Sequence, residues 1–545
     1  MQFFYYEKNG DNRYILTIKT DNIIRIICHK RGEKMSLFKK KEKIIEEKIN
    51  QFNESLNNYI ISPSLDVNVM IIKQLFIDND TIISRSVVNN FDKSLQFYII
   101  YREGMVDPTI ISETIIKQLV LSNADISKNN LLDSLVNQVL ITNETRKISS
   151  MKEVIENVCY GDTVLFVNGC DKALVLDTKK FQTRAIEEPQ NEKALNGPKE
   201  GFNEYLLTNL SLISRKLKTN DLKMKYLYLG QKTNTKCCIC YLDSIVNKQV
   251  LEELYSRLDK IDIDGIIDAN YINESIKDSP YSLFQTMGFT EKPDVVAANL
   301  LEGKIAIIID GSPIVITIPY FFVENFQNSD DYYVNFYYAC FTRIIRMFGF
   351  FLAITVPAFY ISIVAYHHEM IPTSLFINVT LERQSVPMPA AAEAIIMLLL
   401  FDILKETGVR MPTNIGHALS IVGALVIGQS AVEAKLVAAP MIIVVALTGI
   451  TSLLVPKMNA GIIYLRYVLL FLSIILGFYG FILGLACILI HILNLRSFGI
   501  PQLTLGGKTN YQAIKDTLFR GPWSKMKLRP KLVTDNQQRM KGGNN

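Results

Sequence analysis

The chain has 545 residues, 49% of them hydrophobic, and carries 58 Lys or Arg against 53 Asp or Glu, a formal net charge of +5. That length allows two or three domains, and eight cysteines in so long a chain exclude a small disulfide-rich scaffold. The averages hide a division: residues 35–300 are rich in Lys, Glu, Asp and Asn, whereas residues 344–494 hold long apolar runs with few charges. We predict an integral membrane protein with an N-terminal soluble α/β region of two subdomains and a C-terminal polytopic α-helical membrane bundle.

The N-terminal 34 residues contain strand-like runs such as Tyr14–Ile18, but no continuous apolar segment as long as a secretory signal. A second methionine, Met35, opens the stretch that follows. We therefore expect translation to begin at Met35, with residues 1–34 as an upstream extension.

The first soluble subdomain is predicted to span residues 35–150. The apolar and aromatic run Leu95–Tyr101 indicates a strand. Asp107 and Pro108 are typical of a helix start, because Asp accepts backbone N–H bonds and Pro fits the first helical position. Apolar residues at helical spacing then indicate that helix: Ile111, Ile115 and Leu119.

The second soluble subdomain is predicted to span residues 151–335. The Asn168-Gly169 pair favours a hairpin of 163–167 with 173–176, because both residues tolerate positive φ. Two β-branched runs around Asp310-Gly311 favour a further hairpin over a membrane span. The remaining predicted elements are strands near 225–229, 236–242 and 265–268, a helix over 248–258, and a helix with Phe202, Leu206, Leu210, Ile213 and Leu217 on one face.

Enzyme signatures are absent from the sequence, which has no phosphate-binding loop, no GxGxxG after a strand, no GxSxG and no HExxH. Cys237 and Cys240 have CxxC spacing, but no second pair accompanies them, which favours small residues of a buried strand over a metal or redox site. The adjacent His367 and His368 fit a metal site or an interfacial turn, and the turn is favoured. We therefore predict no enzyme, no metal and no cofactor.

The membrane domain is predicted to cover residues 336–495. A crossing needs roughly 20 apolar residues, and four stretches qualify: about 344–366, 413–431, 434–454 and 462–493. The last is over-long, which predicts tilt, an interfacial first turn or a break near Gly477 or Gly480. Residues 389–404 are short and contain two acids, which favours a re-entrant or in-plane helix. Arg343 and Arg346 before the first span are expected to extend to a cytoplasmic surface.

The basic tail, residues 496–545, holds ten Lys or Arg against two Asp. This excess suggests attraction to an anionic membrane face, and no DNA-binding motif supports nucleic acid instead. Positive charge at both ends of the membrane domain predicts that both termini are cytoplasmic, which requires an even number of crossings.

Two sets of residues in the membrane region are candidates for function. The first is a set of small or polar residues in the second span, which suits either a pore lining or ordinary tight helix packing: Gly416, Ser420, Gly423, Gly428 and Gln429. The second is a set of ionisable residues, costly in lipid unless they face protein or water or reach the interface at a helix end: Glu393, Asp402, Arg410, Glu433 and Lys435. We expect Glu393 and Asp402 to attract cations locally, or to hold a closed conformation of the helix bundle by pairing with Arg410.

Several ordered motifs resemble one family, the A subunits of GerA-type spore germination receptors, over roughly residues 55–505. Each motif alone is weak, but their order and spacing are specific. The soluble motifs are Gly161–Gly169, Gly197–Phe202, Glu291–Asp294, Leu300–Lys304 and Ile309–Pro313. The membrane motifs are Gly408–Pro412, Ser420–Gly423, Val426–Gln429 and Leu495–Pro501.

This resemblance implies a part in a nutrient-sensing complex of the spore inner membrane. The implied partners are a permease-like B subunit, a lipoprotein C subunit and further copies of the chain in a ring. It favours an oligomeric ligand-gated ion channel that triggers germination. The alternatives are a non-conducting scaffold or amplifier subunit, and a secondary transporter, for which the sequence offers no internal repeat.

Overall fold

The computed structural model describes the backbone of three N-terminal strands and most of the chain beyond residue 60. The described ranges are 60–122, 131–140, 144–180, 196–410 and 426–503, with 189, 192, 516, 519–526, 529, 533–534 and 539. The N-terminal strands pair antiparallel in the order β1-β2-β3. They are β1 (Phe4–Asn9), β2 (Arg13–Thr20) and β3 (Ile23–His29).

The chain divides into two compact units, residues 1–77 with 82–180, and residues 78–81 with 181–545. The predicted boundary at residue 150 therefore lies inside the first unit. The reason is strand pairing, because the predicted hairpin 163–167/173–176 forms and its first strand pairs with the strand that follows Leu95.

An antiparallel five-stranded sheet, ordered β4-β5-β7-β8-β6, forms the centre of the first unit. Its strands are β4 (Ile82–Val88), β5 (Gln96–Arg102), β6 (Thr145–Ile148), β7 (Thr163–Val167) and β8 (Ala173–Leu176). The helices are α1 (Leu65–Leu75), α2 (Lys117–Leu121), α3 (Leu131–Ser134) and α4 (Met151–Tyr160), with wider helical turns at Ile110–Ile116 and Leu135–Val139. Alternate residues of β5 bury against α1 and α4 on one face and against Ile111, Ile115 and Leu119 on the other.

A second antiparallel sheet, ordered β11-β13-β12-β10-β9, opens the second unit. Its strands are β9 (Leu222–Leu229), β10 (Thr235–Leu242), β11 (Gly288–Thr290), β12 (Ile305–Ile309) and β13 (Val315–Ile318). The helices that cover its two faces are α5 (Leu206–Lys216), α6 (Lys248–Leu258), α7 (Ala269–Ile276) and α8 (Pro293–Leu301). The hairpin predicted around Asp310-Gly311 is confirmed, with Ile305 opposite Ile318.

The strand predicted over residues 265–268 does not form. Ile266 donates its N–H to the Thr233 hydroxyl and accepts from the Thr235 hydroxyl, so side chains rather than a neighbouring strand satisfy its backbone. Asp268 then caps α7 by accepting from the Asn270 N–H.

The apolar half of the second unit is helical. Its helices are α9 (Phe336–Tyr366), α10 (Thr373–Gln384), α11 (Ala390–Arg410), α12 (Ala439–Ser452) and α13 (Asn459–Asn494), with a further helical segment at 426–433. Among the described residues, two helical stretches are long and apolar enough to cross a membrane, Phe336–Tyr366 and Pro456–Asn494. Most of the predicted span 413–431 lies outside the described residues.

Helix α13 turns back on itself at Gly477, which confirms the predicted break. Gly477 has φ +61° and ψ −138° inside an otherwise helical stretch. A Cβ on Gly484 would lie 2.6 Å from Leu469 Cδ1, whereas fifteen residues of straight helix extend about 22 Å. Two antiparallel helices therefore occupy the region predicted as one over-long span.

Helix α11 extends beyond residues 389–404, over which an in-plane or re-entrant helix is predicted, because it ends at Arg410. Glu393 near its start contacts Ala438, which precedes α12, and Lys405 near its end contacts Ser452, the last residue of α12. The two helices therefore run parallel. With 21 residues, α11 is about 31 Å long, close to the thickness of a bilayer core.

The end of α13 returns the chain to the second sheet. The hairpin of β14 (Arg496–Ser497) and β15 (Ile500–Pro501) follows directly. The Ser497 hydroxyl donates to the Thr286 carbonyl at 2.6 Å, and Phe498 N–H donates to Asp278 Oδ2 at 2.6 Å. These contacts bind the last apolar helix to the α/β part of the same unit.

Candidate functional site

A buried ionic cluster lies where α9 begins. Asp331 sits in the turn Ser329–Tyr332, and Arg343 and Arg346 share one face of the first turns of α9. Asp331 Oδ2 accepts from Arg343 Nε and from Arg346 Nη1, each at 2.9 Å, and Oδ1 accepts from Arg346 Nη2 at 2.6 Å. The side chains of Asp331 and Arg343 are each 1% exposed. We call these three residues, with Asp516, the charged junction.

The described part of the basic tail completes this junction. Asp516 Oδ1 accepts from Arg343 at 3.0 Å, and its Oδ2 accepts from the Tyr332 hydroxyl at 2.9 Å. Arg520 Nη1 donates to the carbonyls of Asp331 and Val334 at 2.7 and 2.9 Å. The turn, the helix and the tail are therefore held together by charged hydrogen bonds, which are roughly twice as strong as neutral ones.

These contacts correct two expectations. Arg343 and Arg346 do not extend to a surface, because Asp331 lies within reach of both. The tail is not wholly available to a membrane either, since Arg520 binds the Asp331 carbonyl before α9 and Arg539 pairs with Glu302, which follows α8. Sequence reasoning did not single out Asp331. The sequence does hold a signal for it, because this acid lies shortly before two arginines, Arg343 and Arg346, that are spaced as neighbours on one helix face.

The electrostatics of the junction favour an ionised Asp331. Burial by itself would raise the pKa of this carboxyl, but the hydrogen bonds and charges of Arg346 and Arg343 hold the pKa below its ordinary value. Burial raises the pKa of the neighbouring Tyr332, so its phenol stays protonated and donates to Asp516. Asp331 is therefore a charged partner for the two arginines at neutral pH.

Two acids predicted as candidates lie deeper among the helices. Glu393 is 1% exposed, and its Oε1 accepts from the Ala438 N–H at 2.5 Å. Asp402 Oδ2 accepts from Arg466 Nη2 at 2.5 Å and from the Tyr467 hydroxyl at 2.9 Å. Sequence reasoning passed over Arg466, although a lone arginine within an apolar run is itself a signal of a buried partner.

The predicted lock through Arg410 is not formed. Arg410 is exposed and pairs at 2.7 Å with Glu406, one turn earlier on the same helix. Lys405 instead points into the bundle, where it donates to Ser452 Oγ at 3.0 Å and Asn459 Oδ1 at 2.6 Å. In the C-terminal half of α11, the charged side chains that contact neighbouring helices are therefore Asp402 and Lys405.

The predicted pore-lining residues are only partly described. Gly416, Ser420 and Gly423 lie outside the described residues. A Cβ on Gly428 would meet Ile442 at 3.8 Å, an ordinary contact. Gln429 is exposed and donates to Glu433 Oε1 at 2.9 Å. The small-residue helix therefore packs against α12 at least at Gly428.

The described residues hold no group of three or more His, Cys, Asp or Glu suited to a metal ion. Cys237 buries on one face of the second sheet and Cys240 on the other, because neighbouring strand positions alternate. Burial raises the pKa of the Cys237 thiol to about 12. The CxxC spacing thus does not bring two thiolates together.

These features define a protein in which an antiparallel α/β region is joined by buried charges to a bundle of apolar helices, two of them long and apolar enough to cross a membrane. The family model described as Bacillus/Clostridium GerA spore germination protein matches residues 70–532. The chain belongs to the GerA-type spore germination receptor A-subunit family, as the motifs predicted.

Two relatives from Bacillus subtilis (strain 168) are each 38% identical to the chain. Spore germination protein KA aligns over 87% of this chain and 88% of its own length. The uncharacterized membrane protein YfkQ aligns over 86% and 91%. One solved structure is similar to part of the chain, the crystal structure of the N-terminal domain of the A subunit of the Bacillus megaterium spore germinant receptor GerK3. Its sequence is 29% identical, the match covers 48% of this chain and 98% of that chain, and the TM-score is 0.38.

Proposed function

We propose that the chain is the A subunit of a nutrient receptor that triggers spore germination, and that several copies form a ligand-gated ion channel in the spore inner membrane. The observation that carries this proposal is the charged junction. Asp331 and Asp516 fix the start of α9, through Arg343, to the turn Ser329–Tyr332 and to the tail. Lys292, which precedes α8, donates to Ser329 Oγ at 3.1 Å and so connects that turn to the α/β part of the second unit. A movement of that part would therefore pull directly on an apolar helix.

A second route supports the same coupling. Lys304, just before β12, donates to Glu324 Oε2 at 2.6 Å. Glu324 belongs to the turn Phe322–Phe326, whose Phe326 ring packs edge-on against Phe350 of α9 with centroids 5.5 Å apart. The β12–β13 hairpin thus has a short path of contacts to α9, distinct from the charged junction.

For the ion path we propose the small-residue helix, with Gly416, Ser420, Gly423, Gly428 and Gln429 as the pore or gating candidates. Small residues permit close approach of helices around a narrow pore. Glu393 and Asp402 would supply negative potential nearby, and their present contacts with Ala438 and Arg466 would hold the closed state. The conducting state then requires these contacts to change.

The chain would work with a permease-like B subunit and a lipoprotein C subunit, with both termini in the cytoplasm. We propose that α9, α11, α12 and both halves of α13 cross the membrane with the small-residue helix. Six crossings are even, as two cytoplasmic termini require.

A non-conducting scaffold or amplifier subunit is the second candidate. Two ion pairs favour it, Asp402 with Arg466 and Arg410 with Glu406, because each of these charges already has a partner within the chain. Such pairing suits helices that pack permanently.

Cation flux from vesicles containing the full-length protein separates these functions. We expect the wild type to release cations when a mixture of amino acids, sugars and nucleosides is added, and Ser420→Leu and Gly423→Leu to abolish the release by narrowing the path. Ile443→Phe, at a position 69% exposed on α12, is the matched control and should leave flux unchanged. Unaltered flux in both leucine variants would remove this helix from the pore, and no flux from folded wild-type protein, alone or with the B and C subunits, would favour the scaffold.

A further inference from the structure

A cavity of about 610 Å³ lies at the end of the helix bundle away from the second sheet. Its walls come from the end of α9, from α10, from the start of α11, and from Ile474 just before the Gly477 turn. This volume is within the range of ligand pockets in proteins. Most of the wall is apolar, including Ile361, Val364, Ile371 and Phe376.

One face of α10 gives this cavity its polar side. Phe376, Val379, Thr380 and Arg383 follow one another at spacings of three, one and three residues and all line the cavity. No ion pair among the described residues involves Arg383, and the side chain is partly buried. Its guanidinium interacts with the Tyr360 phenol and with the Glu393 carboxylate. The cavity therefore combines an apolar interior with one cationic group.

The chemistry of the lining selects the ligand. Arg383 and His368 are the basic groups, and the described lining contains no Asp or Glu. A zwitterion such as a free amino acid would leave its ammonium group without a partner, which is costly in an apolar pocket. An acyl chain with one anionic group would satisfy both parts of the lining.

The other face of α10 indicates where such a molecule comes from. Ile377 and Leu381 are 51% and 61% exposed and lie one turn apart, opposite Val379 and Arg383. A helix that is apolar on the face turned away from its own protein suits a membrane interface rather than water. Lipids would therefore surround the mouth of this cavity.

We propose that this cavity binds an anionic phospholipid, with an acyl chain against the apolar wall and the phosphate paired with Arg383. An arginine fork matches phosphate geometry and keeps its charge at any physiological pH. The site is separate from the charged junction, which lies at the opposite end of α9.

Occupancy would also reach the start of α12. The guanidinium of Arg383 acts electrostatically on the Glu393 carboxylate, and that carboxylate accepts from the Ala438 N–H. A phosphate on Arg383 would weaken its attraction for Glu393. This regulatory step, unlike lipid binding itself, rests on the proposed channel.

Lipid binding can be measured with the full-length protein in detergent, without any ion flux. The probes are dioleoyl-phosphatidylglycerol, dioleoyl-phosphatidylcholine and oleate, and the readouts are native mass spectrometry and the thermal midpoint. We expect phosphatidylglycerol to be retained and to raise the midpoint. Arg383→Gln should weaken its binding about tenfold or more, the loss of one charged hydrogen-bonding group, and Arg383→Lys should restore part of it.

Two further variants make the result decisive. Thr380→Phe fills the cavity without changing charge and should also reduce binding, while Lys435→Gln removes an exposed charge outside the lining and should not. Equal retention of phosphatidylcholine, or wild-type binding by both Arg383→Gln and Thr380→Phe, would overturn the proposal. Retention of oleate without phosphatidylglycerol would overturn the choice of a phospholipid. Because no readout uses conduction, a failed channel leaves this test intact.

Discussion

Asp402 on α11 and Arg466 on the first half of α13 form an ion pair in which Nη2 and Oδ2 are 2.5 Å apart. The side chain of Arg466 is 1% exposed and that of Asp402 is 15% exposed. Tyr467 donates to the same carboxylate oxygen at 2.9 Å. The pair joins two helices more than sixty residues apart in the chain and fixes how they pack.

Breaking this pair should be costly. Asp402→Asn would leave the Arg466 charge buried without a counter-charge, for which we expect about 3–5 kcal/mol lower stability. The double variant Asp402→Leu/Arg466→Met should be less damaging than either single change. Thermal unfolding in detergent measures this, with Glu406→Gln as a control in an exposed pair worth less than about 1 kcal/mol. A single variant as stable as wild type would show that the pair is not formed.

Gly477 should not tolerate a side chain. Its φ of +61° with ψ of −138° is a conformation restricted to glycine, and a Cβ would lie 2.9 Å from Tyr366 Cγ. We expect Gly477→Ala to lower stability by roughly 1–3 kcal/mol and to reduce the yield of folded protein. Gly428→Ala, with its nearest contact at 3.8 Å, is the control. Equal yields and thermal midpoints would contradict the turn at Gly477.

The charged junction predicts a specific dependence of stability on pH. The pKa of Asp331 is lower in the folded protein than in the unfolded chain. Its contribution is therefore complete above the unfolded value of about 3.9 and is lost as the pH falls through the lower folded value.

Asp331→Asn should therefore be less stable at neutral pH, and its difference from wild type should shrink as acid is added. Thermal midpoints at pH 7 and at successively lower values below 4 measure this. Asp264→Asn controls for general acid effects, because the Asp264 side chain is 73% exposed in its ion pair with Lys232. A difference that stays constant down to the lowest value would show that Asp331 is not held ionised by the two arginines.

The cysteines of β10 should be unreactive in the folded protein. Burial raises the pKa of Cys237 to about 12, and Cys238 and Cys240 are fully buried. We expect no labelling of these three by N-ethylmaleimide at pH 7.5 until the protein is unfolded. Peptide mapping reads out each position, and unfolded protein serves as the positive control. Rapid labelling of Cys237 or Cys240 in the folded protein would contradict this prediction and support a reactive CxxC site.

Local patterns predicted the elements well where one face of a strand or helix is buried. The hairpin at Asp310-Gly311 and the helix over 248–258 formed as expected, because turn chemistry and apolar spacing act over a few residues. The same patterns failed at residues 265–268, where two threonine hydroxyls replaced strand partners. Side-chain hydrogen bonds of that kind leave no period in the sequence.

The sequence alone determined that the chain has an α/β part and an apolar helical part, and its ordered motifs determined the family, because hydropathy and motif spacing are properties of the chain itself. Tertiary structure decided which charges meet. Arg466 rather than Arg410 binds Asp402. Arg343 and Arg346 form ion pairs with Asp331 instead of extending to solvent. Coulomb attraction depends on distance in space and on burial, and both are fixed only when helices far apart in the sequence pack together.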